Sequence, residues 1–340
     1  ISAMLGIAEM IKSGTTMFCE ASGEHPDSIA QAVLDSGISG TVCLSTMDLP
    51  GEIPETLRMT THEAIERNLA LIERWHGTEE RVDGCLNILN LFLSSETLWK
   101  EFTKLSKERN LLLQSHVAES KSEVEFVKEK TGLTPVRYLD SIGALTPNLL
   151  AAHLVFIDDE EIDLLHRNGV NVMHLPAAEL RIAGFAPIAK ELEKGIPVSL
   201  GTNSPPCNNR MSIMDDMWLA GLMHKAVNDD PAAVPAKAVL RMATINGAKA
   251  LKREHQTGTL EVGKLADITI MDMNKVCATP THDLESTIVY QATSEVVDTV
   301  FARGELLMEH GRLTTIDEGW IIREAERRAH SIVKRAGIKL

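Results

Sequence analysis

The sequence is poor in basic residues and has no long hydrophobic run, and both shortages exclude classes of partner. Its 340 residues include 34 Lys and Arg against 48 Asp and Glu, which gives a formal net charge of −14 at pH 7. This charge repels phosphate backbones, so we expect no nucleic-acid partner. No apolar run approaches the roughly 20 residues that a membrane-spanning helix needs, and no basic segment precedes a hydrophobic one at the N-terminus. We therefore expect no membrane partner.

Cysteine is also scarce, and this excludes a small scaffold held together by disulfides. The five cysteines are odd in number, widely spaced and without a C-x-x-C pair. They are Cys19, Cys43, Cys85, Cys207 and Cys277. The pattern is typical of free thiols in a reducing compartment. We therefore expect the protein to be cytoplasmic.

The sequence contains no internal repeat and no low-complexity tract, which disfavours solenoids and disordered linkers. A chain of 340 residues can bury the core of one large α/β barrel or of two mid-sized domains. Apolar residues from Met4 to Ile11 lie at helical spacing, with no initiator methionine and no capping residue ahead of them. We expect the chain to begin inside a fold.

Strand-like and helical segments alternate along most of the chain. Predicted helices end at residue 13 and cover residues 28–37, 60–75, 98–109, 123–130, 136–142, 159–168, 188–194, 211–225 and 237–251. The strand-like runs are 15–20, 40–45, 82–93, 111–119, 149–155, 170–176 and 196–203. This alternation predicts a parallel sheet in an α/β barrel. After residue 251, two stretches at 258–273 and 297–313 indicate part of a small β domain, and residues 318–336 form a charged helical tail.

Polar residues interrupt three of the strand-like runs near their ends, where an α/β barrel places its catalytic side chains. The run 111–119 contains His116 and ends in Glu119. The run 149–155 contains His153, and the run 196–203 ends in Asn203. A neutral imidazole ligates Zn²⁺, and a carboxylic acid beside it can transfer protons. One such histidine alone is more often structural, but three polar strand ends in chain order favour an active site.

Six segments along the chain look like successive signatures of one enzyme family. They are AEMIKSGTT, SHVAES, AAHLVFIDDEEIDLLHRNGVNVMHLP, GIPVSLGTN, LRMATINGAKAL and GTLEVGKLADITIMDM. Together they resemble the amidohydrolase superfamily, in its 5′-methylthioadenosine/S-adenosylhomocysteine deaminase and chlorohydrolase branch. The resemblance implies a TIM-like (β/α)₈ barrel with a β-sandwich built from both chain ends. It also implies one Zn²⁺ or Fe²⁺ that serves the hydrolysis of a C–N or C–Cl bond on a heteroaromatic ring.

The resemblance divides the chain into three parts. Residues 1–254 would form the metal-dependent hydrolase barrel, with its first strand apparently missing. Residues 255–316 would form the C-terminal part of the β-sandwich, and residues 317–340 a C-terminal helix. An open barrel would expose edge strands and some of its apolar interior, so we expect a homo-oligomer.

The resemblance also assigns roles to residues at matching positions. His116 matches the metal-ligating histidine of the fifth barrel strand, and Glu119 matches the acid that protonates a ring nitrogen of the substrate. His153 matches the sixth-strand histidine that polarises the attacking water and steadies the oxyanion. His174 matches a histidine of the family's H-N-P segment, here HLPAAE, and is assigned a place in the substrate pocket. The metal would be zinc, with iron as the alternative, and would lower the pKa of its water from about 15.7 to near 7.

Two departures from the family concern the metal. The family has a His-x-His pair on its first barrel strand, and no His-x-His occurs in this sequence. Its eighth strand ends in G-T-D, whose aspartate contacts the metal and takes a proton from the water, whereas this chain has Gly201-Thr202-Asn203. The amide oxygen of Asn203 can lie near a metal but cannot accept that proton. Glu119 is then the one carboxylate matched to a catalytic position.

Three functions therefore stay open. The leading hypothesis is a hydrolase that deaminates an adenosine-like or other nitrogen heterocycle. The second is a triazine-type hydrolase that releases chloride or an amine, because Asn203 and the altered loops NILNLFLSSETLW and GTNSPPCNN do not match the deaminases. The third is a catalytically inactive or truncated homologue, because the His-x-His pair is missing.

The remaining histidines receive no functional role. Those considered are His62, His76, His166, His224 and His310. Each lies on a helical or turn stretch that we interpret as polar. We expect them to face solvent.

Overall fold

A computed structural model describes residues 1–21, 23–51 and 53–338. Up to residue 254, short strands alternate with helices. The strands are β1 (Met17–Cys19), β2 (Ser39–Val42), β3 (Val82–Gly84), β4 (Leu86–Ile88), β5 (Leu113–Val117), β6 (Leu149–His153), β7 (Asn171–His174) and β8 (Val198–Leu200). The helices are α1 (Ser2–Lys12), α2 (Pro26–Ser36), α3 (Thr61–Trp75), α4 (Glu96–Arg109), α5 (Lys121–Thr131), α6 (Pro135–Ser141), α7 (Asp159–Arg167), α8 (Pro176–Ile182), α9 (Ile188–Glu193), α10 (Pro205–Asn208), α11 (Ile213–Val227), α12 (Ala236–Met242) and α13 (Ile245–Ala250).

These strands are parallel and pair in chain order, as β1-β2-β3 and β4-β5-β6-β7-β8. β3 and β4 are two halves of one extended segment, separated by Cys85, where the pairing passes from β2 to β5. The predicted strand at 82–93 is therefore interrupted and ends earlier. The parallel α/β arrangement predicted from the sequence is confirmed.

Two helical regions differ from the prediction. The helix predicted at 237–251 is two helices, α12 and α13, because the backbone turns at Thr244 (φ −129°, ψ −100°). The hydroxyl of Thr244 donates to the Leu240 carbonyl oxygen at 2.7 Å, so the side chain competes with helical backbone bonding there. The strand predicted to reach residue 176 stops at His174, and α8 follows, with Pro176 at the first helical position. Proline favours that position because its missing N–H would be unpaired in any case.

Two clusters of buried side chains hold the fold together. The larger one lies between the strands β4–β8 and the helices around them, and Trp99 and Phe102 of α4 are among its largest wholly buried side chains. The second joins the two ends of the chain: Ile11 of α1 and Val33 of α2 pack with Ile321 near the C-terminus. Burial of such apolar side chains contributes about 1.5–3 kcal/mol each.

The C-terminal part is built around an antiparallel sheet. Its elements are β9 (Ile268–Met271), α14 (Leu284–Tyr290), β10 (Val297–Ala302), β11 (Glu305–Glu309), β12 (Arg312–Leu313) and α15 (Glu318–Arg335). The strand order is β12-β11-β10-β9. The sheet and α15 pack on α1, and the Lys12 ammonium lies 2.8 Å from Glu318. The domain boundaries at 254 and 316 stay a prediction.

The five cysteines are free, as predicted, but three of them meet. Cys19 ends β1, Cys43 follows β2 and Cys85 separates β3 from β4. The parallel register carries Cys43 opposite Cys85, and it pairs Cys19 with Thr41, two residues before Cys43. Contact with the Cys19 and Cys43 thiols, together with burial, raises the pKa of the Cys85 thiol well above its ordinary value. Cys43 and Cys85 are buried, whereas Cys19 is partly exposed. We call these three residues the thiol cluster.

The helices give no sign of a membrane span. Among the residues that the structure describes, no helix combines the length and the apolar composition needed to cross a bilayer.

Candidate active site

The carboxyl ends of the parallel strands meet at one edge, and the backbone there is strained. His153 (φ 76°) and Leu154 (φ 52°) at the end of β6, Ala118 (φ 50°) after β5 and Asn203 (φ 60°) after β8 all adopt left-handed backbone angles. Residues with a Cβ rarely adopt these angles, which cost of order 1–3 kcal/mol each and concentrate at functional sites. These angles accompany the polar residues at the strand ends, and the two features together indicate that this edge is the candidate site.

Three of the predicted site residues come together there. The imidazole rings of His116 and His153 stack, with centroids 5.5 Å apart. Nε2 of His153 lies 3.4 Å from Oε1 of Glu119. The Glu119 side chain is 29 % exposed, whereas His153 is wholly buried, so a molecule entering from solvent meets Glu119 first. The sequence prediction that these residues cluster agrees with this geometry.

His116 has a fixed ring orientation. Its Nδ1 lies 2.8 Å from the Leu89 carbonyl oxygen, which can only accept, so Nδ1 carries the hydrogen and Nε2 keeps a bare lone pair. Burial, followed by the charge of His153, lowers the pKa of His116 and favours the neutral ring. A neutral imidazole whose other nitrogen donates to a carbonyl is the usual form of a histidine metal ligand.

Glu123, on α5, supports the backbone of Glu119. Its Oε2 accepts the Glu119 N–H at 2.9 Å, and its side chain is almost wholly buried. Burial raises the pKa of Glu123 to about 7. Glu123 was not predicted as a site residue, although its position four residues after Glu119 placed it near the site.

Behind His153 lies a buried series of ionisable groups, of which only His174 was predicted from the sequence as a site residue. Oε1 of Glu179 lies 3.6 Å from Nδ1 of His153, and Oε2 of Glu179 lies 2.8 Å from Nδ1 of His174. Nε2 of His174 lies 3.0 Å from Nε2 of His224. His174 is wholly buried and has a neighbour at each ring nitrogen, so it stands behind His153 rather than at the mouth of the site.

The prediction that His224 faces solvent was wrong. Only 1 % of the His224 surface is exposed. Burial, together with the charge of His174, lowers the pKa of His224 to about 3. It lies on the buried stripe of α11, seven residues after Met217 and three after Gly221. That helical spacing could have revealed its orientation. By contrast, the side chains of His62, His76, His166 and His310 are exposed, as predicted.

Two further buried carboxyls adjoin this series of groups. Burial raises the pKa of Asp216 to about 7, although its oxygens accept from the Ala177 N–H and the Asn208 amide at 3.0 Å each. Burial, then the charge of Glu179, raises the pKa of Glu191 to about 8. Both carboxyls are thus partly or mostly protonated at neutral pH.

Asn203 lies at the same edge but is engaged elsewhere. Its Oδ1 accepts the backbone N–H of Ser204 at 2.7 Å. In the described part of the chain, no hydrogen bond or ion pair joins Asn203 to His116, Glu119 or His153. Its amide oxygen is therefore used to shape the loop after β8.

A divalent metal does not find a complete set of ligands in these residues. Catalytic zinc takes three protein ligands and keeps one position open. Within residues 1–21, 23–51 and 53–338, no group of three or more His, Cys, Asp or Glu side chains is arranged to hold an ion. His116 has the form of one ligand, and the oxygen of Asn203 is occupied by Ser204. The donor set does not fit a metal on its own.

Comparisons with known proteins agree with the fold. The amidohydrolase family model matches residues 1–307. A relative from Dictyoglomus thermophilum, named 5-methylthioadenosine/S-adenosylhomocysteine deaminase, is 38 % identical over 336 residues. That match covers 98 % of this chain and 76 % of the relative.

Solved structures repeat the architecture. An adenosine deaminase from Xanthomonas campestris with bound zinc superposes with a TM-score of 0.92 at 25 % identity, over 98 % of this chain and 74 % of the other. Atrazine chlorohydrolase from Arthrobacter aurescens, complexed with zinc, gives a TM-score of 0.90 at 26 % identity, over 96 % of this chain and 75 % of the other. These matches confirm the predicted TIM-like barrel with part of a β-sandwich. The chain belongs to the amidohydrolase family of metal-dependent hydrolases.

Proposed function

We propose that the protein is a hydrolase that removes the amino group from an adenosine-like nucleoside. The observation that carries this proposal is the contact between Glu119 and His153 at the strand ends of an amidohydrolase barrel. A relative with a deaminase name matches 98 % of the chain, and an adenosine deaminase shares the fold, which supports the choice of substrate class.

Deamination of a purine ring requires one water and releases ammonia. Water adds to the ring carbon that bears the amino group, a ring nitrogen gains a proton, and the amino group leaves as ammonia while the new oxygen stays on the ring. We assign the proton transfer to Glu119, because its carboxyl is the partly exposed acid beside His153. Proton transfer by a positioned side chain typically contributes 10²–10⁴-fold in rate, on the order expected for such an acid.

His153 is assigned to the water and to the oxygen that becomes negatively charged. Its ring is wholly buried, so its position is fixed by packing, and its Nε2 points toward Glu119. A fixed dipole in a site without solvent stabilises developing charge more strongly than water does. His174 would shape the pocket from behind, through Glu179 and His153.

The described residues do not form a complete ligand set for the metal that this family uses. We propose His116 as one metal ligand, because its Nε2 is bare and its ring is held by Leu89. Asn203 stands at the position of the family's aspartate, but its oxygen is turned to Ser204. We propose zinc as the metal, since both solved relatives described above contain it, with iron as the alternative.

Ammonia release from nucleosides, measured with added zinc, tests the proposal. Glu119→Gln keeps the shape of the side chain and removes the transferable proton, so we expect ammonia release from methylthioadenosine or adenosine to fall at least about 100-fold. Glu125→Gln, on the exposed side of the same α5 helix, is the matched control and should retain the wild-type rate. Full activity of Glu119→Gln, or no ammonia from any adenine nucleoside, would contradict the proposal.

A second function has a specific observation in its favour. The site has Asn203 instead of the aspartate, and the fold matches an atrazine chlorohydrolase with a TM-score of 0.90. Chloride or amine release from triazines should therefore be assayed beside ammonia release. Turnover of triazines without turnover of nucleosides would favour this alternative, and ordinary turnover of methylthioadenosine would count against it.

A further inference from the structure

Glu179 is a carboxylate enclosed between two histidines. Its residue has no exposed surface. One oxygen accepts the Leu175 N–H at 2.8 Å and lies 3.6 Å from Nδ1 of His153. The other oxygen lies 2.8 Å from Nδ1 of His174. The carboxylate therefore stands between the ring that faces the site and a second ring farther inside the protein.

The charge state of Glu179 follows from these neighbours. Burial opposes ionisation, but the charge of His174 and the contacts with His153 and His174 outweigh it and lower the pKa of Glu179 to about 2. An ionised carboxylate only accepts hydrogen bonds, so a ring nitrogen facing it is favoured in its N–H form. The 2.8 Å separation therefore favours a hydrogen on Nδ1 of His174, although the two groups are not aligned for a hydrogen bond.

The contact of the other ring nitrogen of His174, Nε2, is compatible with a hydrogen on Nδ1. Its Nε2 lies 3.0 Å from Nε2 of His224, and two nitrogens at this distance share one hydrogen. The pKa of His224 is lowered to about 3, so that ring is neutral. Whichever ring supplies that hydrogen, the bare Nε2 of the other ring accepts it, and Nδ1 of His174 still faces Glu179.

The same carboxylate acts on His153. The 3.6 Å separation between Nδ1 of His153 and Oε1 of Glu179 exceeds a hydrogen-bond length, but both groups are wholly buried. A charge attracts an N–H dipole more strongly in a medium of low dielectric constant than in water. Placing the hydrogen on Nε2 instead would point a lone pair at Glu179. Glu119, 3.4 Å from Nε2, acts as an acid in the proposed function, and in that form it can donate to a bare Nε2, so both carboxyl groups favour the same ring form. The carboxylate therefore selects one of the two neutral forms of His153.

We propose that Glu179 is a positioning residue for His153: it holds the ring hydrogen on Nδ1 and leaves Nε2 as a bare acceptor beside Glu119. The inference rests on the proposed function, because it assigns a direction to the proton at that site. With Nε2 bare, His153 accepts a hydrogen bond from the water that adds to the ring. Once Nε2 has taken the proton of that water, its N–H can donate to the oxygen that becomes negatively charged. With Nε2 protonated, the ring would present a donor to that water.

The form of the His153 ring can be measured without activity. In wild-type protein with isotopically labelled histidine rings, the nitrogen chemical shifts separate N–H nitrogens from bare ones. Resonances that disappear in His153→Asn identify this ring. We expect Nδ1 of His153 to be the N–H nitrogen and Nε2 to be bare. A hydrogen on Nε2 would overturn the inference.

Glu179→Gln then tests whether the charge of Glu179 determines the ring form of His153 and whether that ring form affects kcat. The variant keeps the size of the side chain but loses its charge, so we expect His153 to populate both ring forms. We expect kcat to fall roughly 10- to 100-fold, as for other groups that orient a functional histidine, while KM changes less than about threefold. A kcat within about twofold of wild type, with His153 unchanged, would overturn the inference.

Glu161→Gln is the matched control. Glu161 is equally buried, in the first turn of α7, and Gln can keep its capping contact with Asp158. It should leave the His153 resonances and kcat unchanged. If the wild type releases no ammonia from any nucleoside, the proposed function fails, but the wild-type ring form still decides the role of Glu179. The same spectrum decides it if Glu179→Gln does not fold.

Discussion

At the scale of single residues, the loop after β8 is defined by the backbone of Asn203. Its φ of 60° is left-handed, and its amide oxygen accepts the next N–H, that of Ser204. Asn and Asp visit this conformation most readily among residues with a side chain, because a short polar side chain can bond the local backbone. The position therefore accepts the family's aspartate without rebuilding the loop.

Two substitutions of Asn203 should have different effects on stability. Asn203→Asp keeps an acceptor for Ser204 and should change the free energy of unfolding by no more than about 0.5 kcal/mol. Asn203→Val removes the acceptor and forces a β-branched residue to a positive φ, which should cost about 1–3 kcal/mol. Urea unfolding of both variants measures the difference. Equal losses for the two would contradict the account of this loop.

The sequence was informative about residues that interrupt strands and uninformative about those behind them. His116, Glu119 and His153 could be found because polar residues at the ends of apolar runs are conspicuous. Glu179 could not, because α8 was not predicted and a glutamate is most often solvated. The roles of the predicted site residues stay proposals.

At the scale of elements, helix α9 contains a buried acid without a partner. Neither oxygen of Glu191 has a hydrogen-bond partner among the described residues, and its pKa is raised to about 8 from 4.5 by burial and by Glu179. A carboxyl whose pKa is higher in the folded state than in the unfolded state imposes no penalty below pH 4.5. The penalty grows as the pH rises from 4.5 to about 8 and is complete above that value.

Glu191→Gln should therefore stabilise the protein at high pH and not at low pH. The pKa difference corresponds to a penalty on the order of 5 kcal/mol, which the neutral amide removes. The free energy of unfolding of Glu191→Gln, minus that of wild type, should therefore increase by most of this amount from pH 5 to pH 8. Urea unfolding at both pH values measures it, with the exposed neighbour variant Glu193→Gln as control. A gain that does not depend on pH would contradict the assignment.

Elements with strong local signals could be predicted, and those set by tertiary contacts could not. The helix predicted at 60–75 is observed as α3. Its start could be predicted because Thr60 and Glu63 form a capping box there. No glycine or proline lies at the break between α12 and α13, so the sequence gives no local signal for it. The break depends on the hydrogen bond that the Thr244 hydroxyl donates to the Leu240 carbonyl oxygen. The interruption of the third strand at Cys85 depends on its pairing with two different neighbours.

At the scale of the whole molecule, the two chain ends share one core. Ile321 of α15 is wholly buried in the cluster that contains Ile11 of α1, and Lys12 pairs with Glu318 nearby. The sequence predicted the order of barrel and β domain. It did not predict the contact between the two ends, because no local pattern links residues more than 300 positions apart. The homo-oligomer expected from the sequence stays a prediction.

Ile321→Ala should therefore weaken the N-terminal helix as well as α15. Removing this buried side chain should cost about 2–5 kcal/mol, because it loses apolar burial and leaves a cavity. Hydrogen exchange should increase in α1 together with α15. Ile322→Ala, at a half-exposed neighbouring position, is the matched control and should cost much less. Faster exchange confined to α15 would show that the two ends are not coupled.

The thiol cluster offers a way to follow the opening of the barrel in time. Cys43 and Cys85 are buried, and the raised pKa keeps the Cys85 thiol in its unreactive protonated form while the structure is closed. A thiol reagent in excess should modify the partly exposed cysteines quickly and these two only when β1–β3 separate. The slow phase of alkylation would then report the free energy of that local opening, a quantity that no spectrum of the folded state contains.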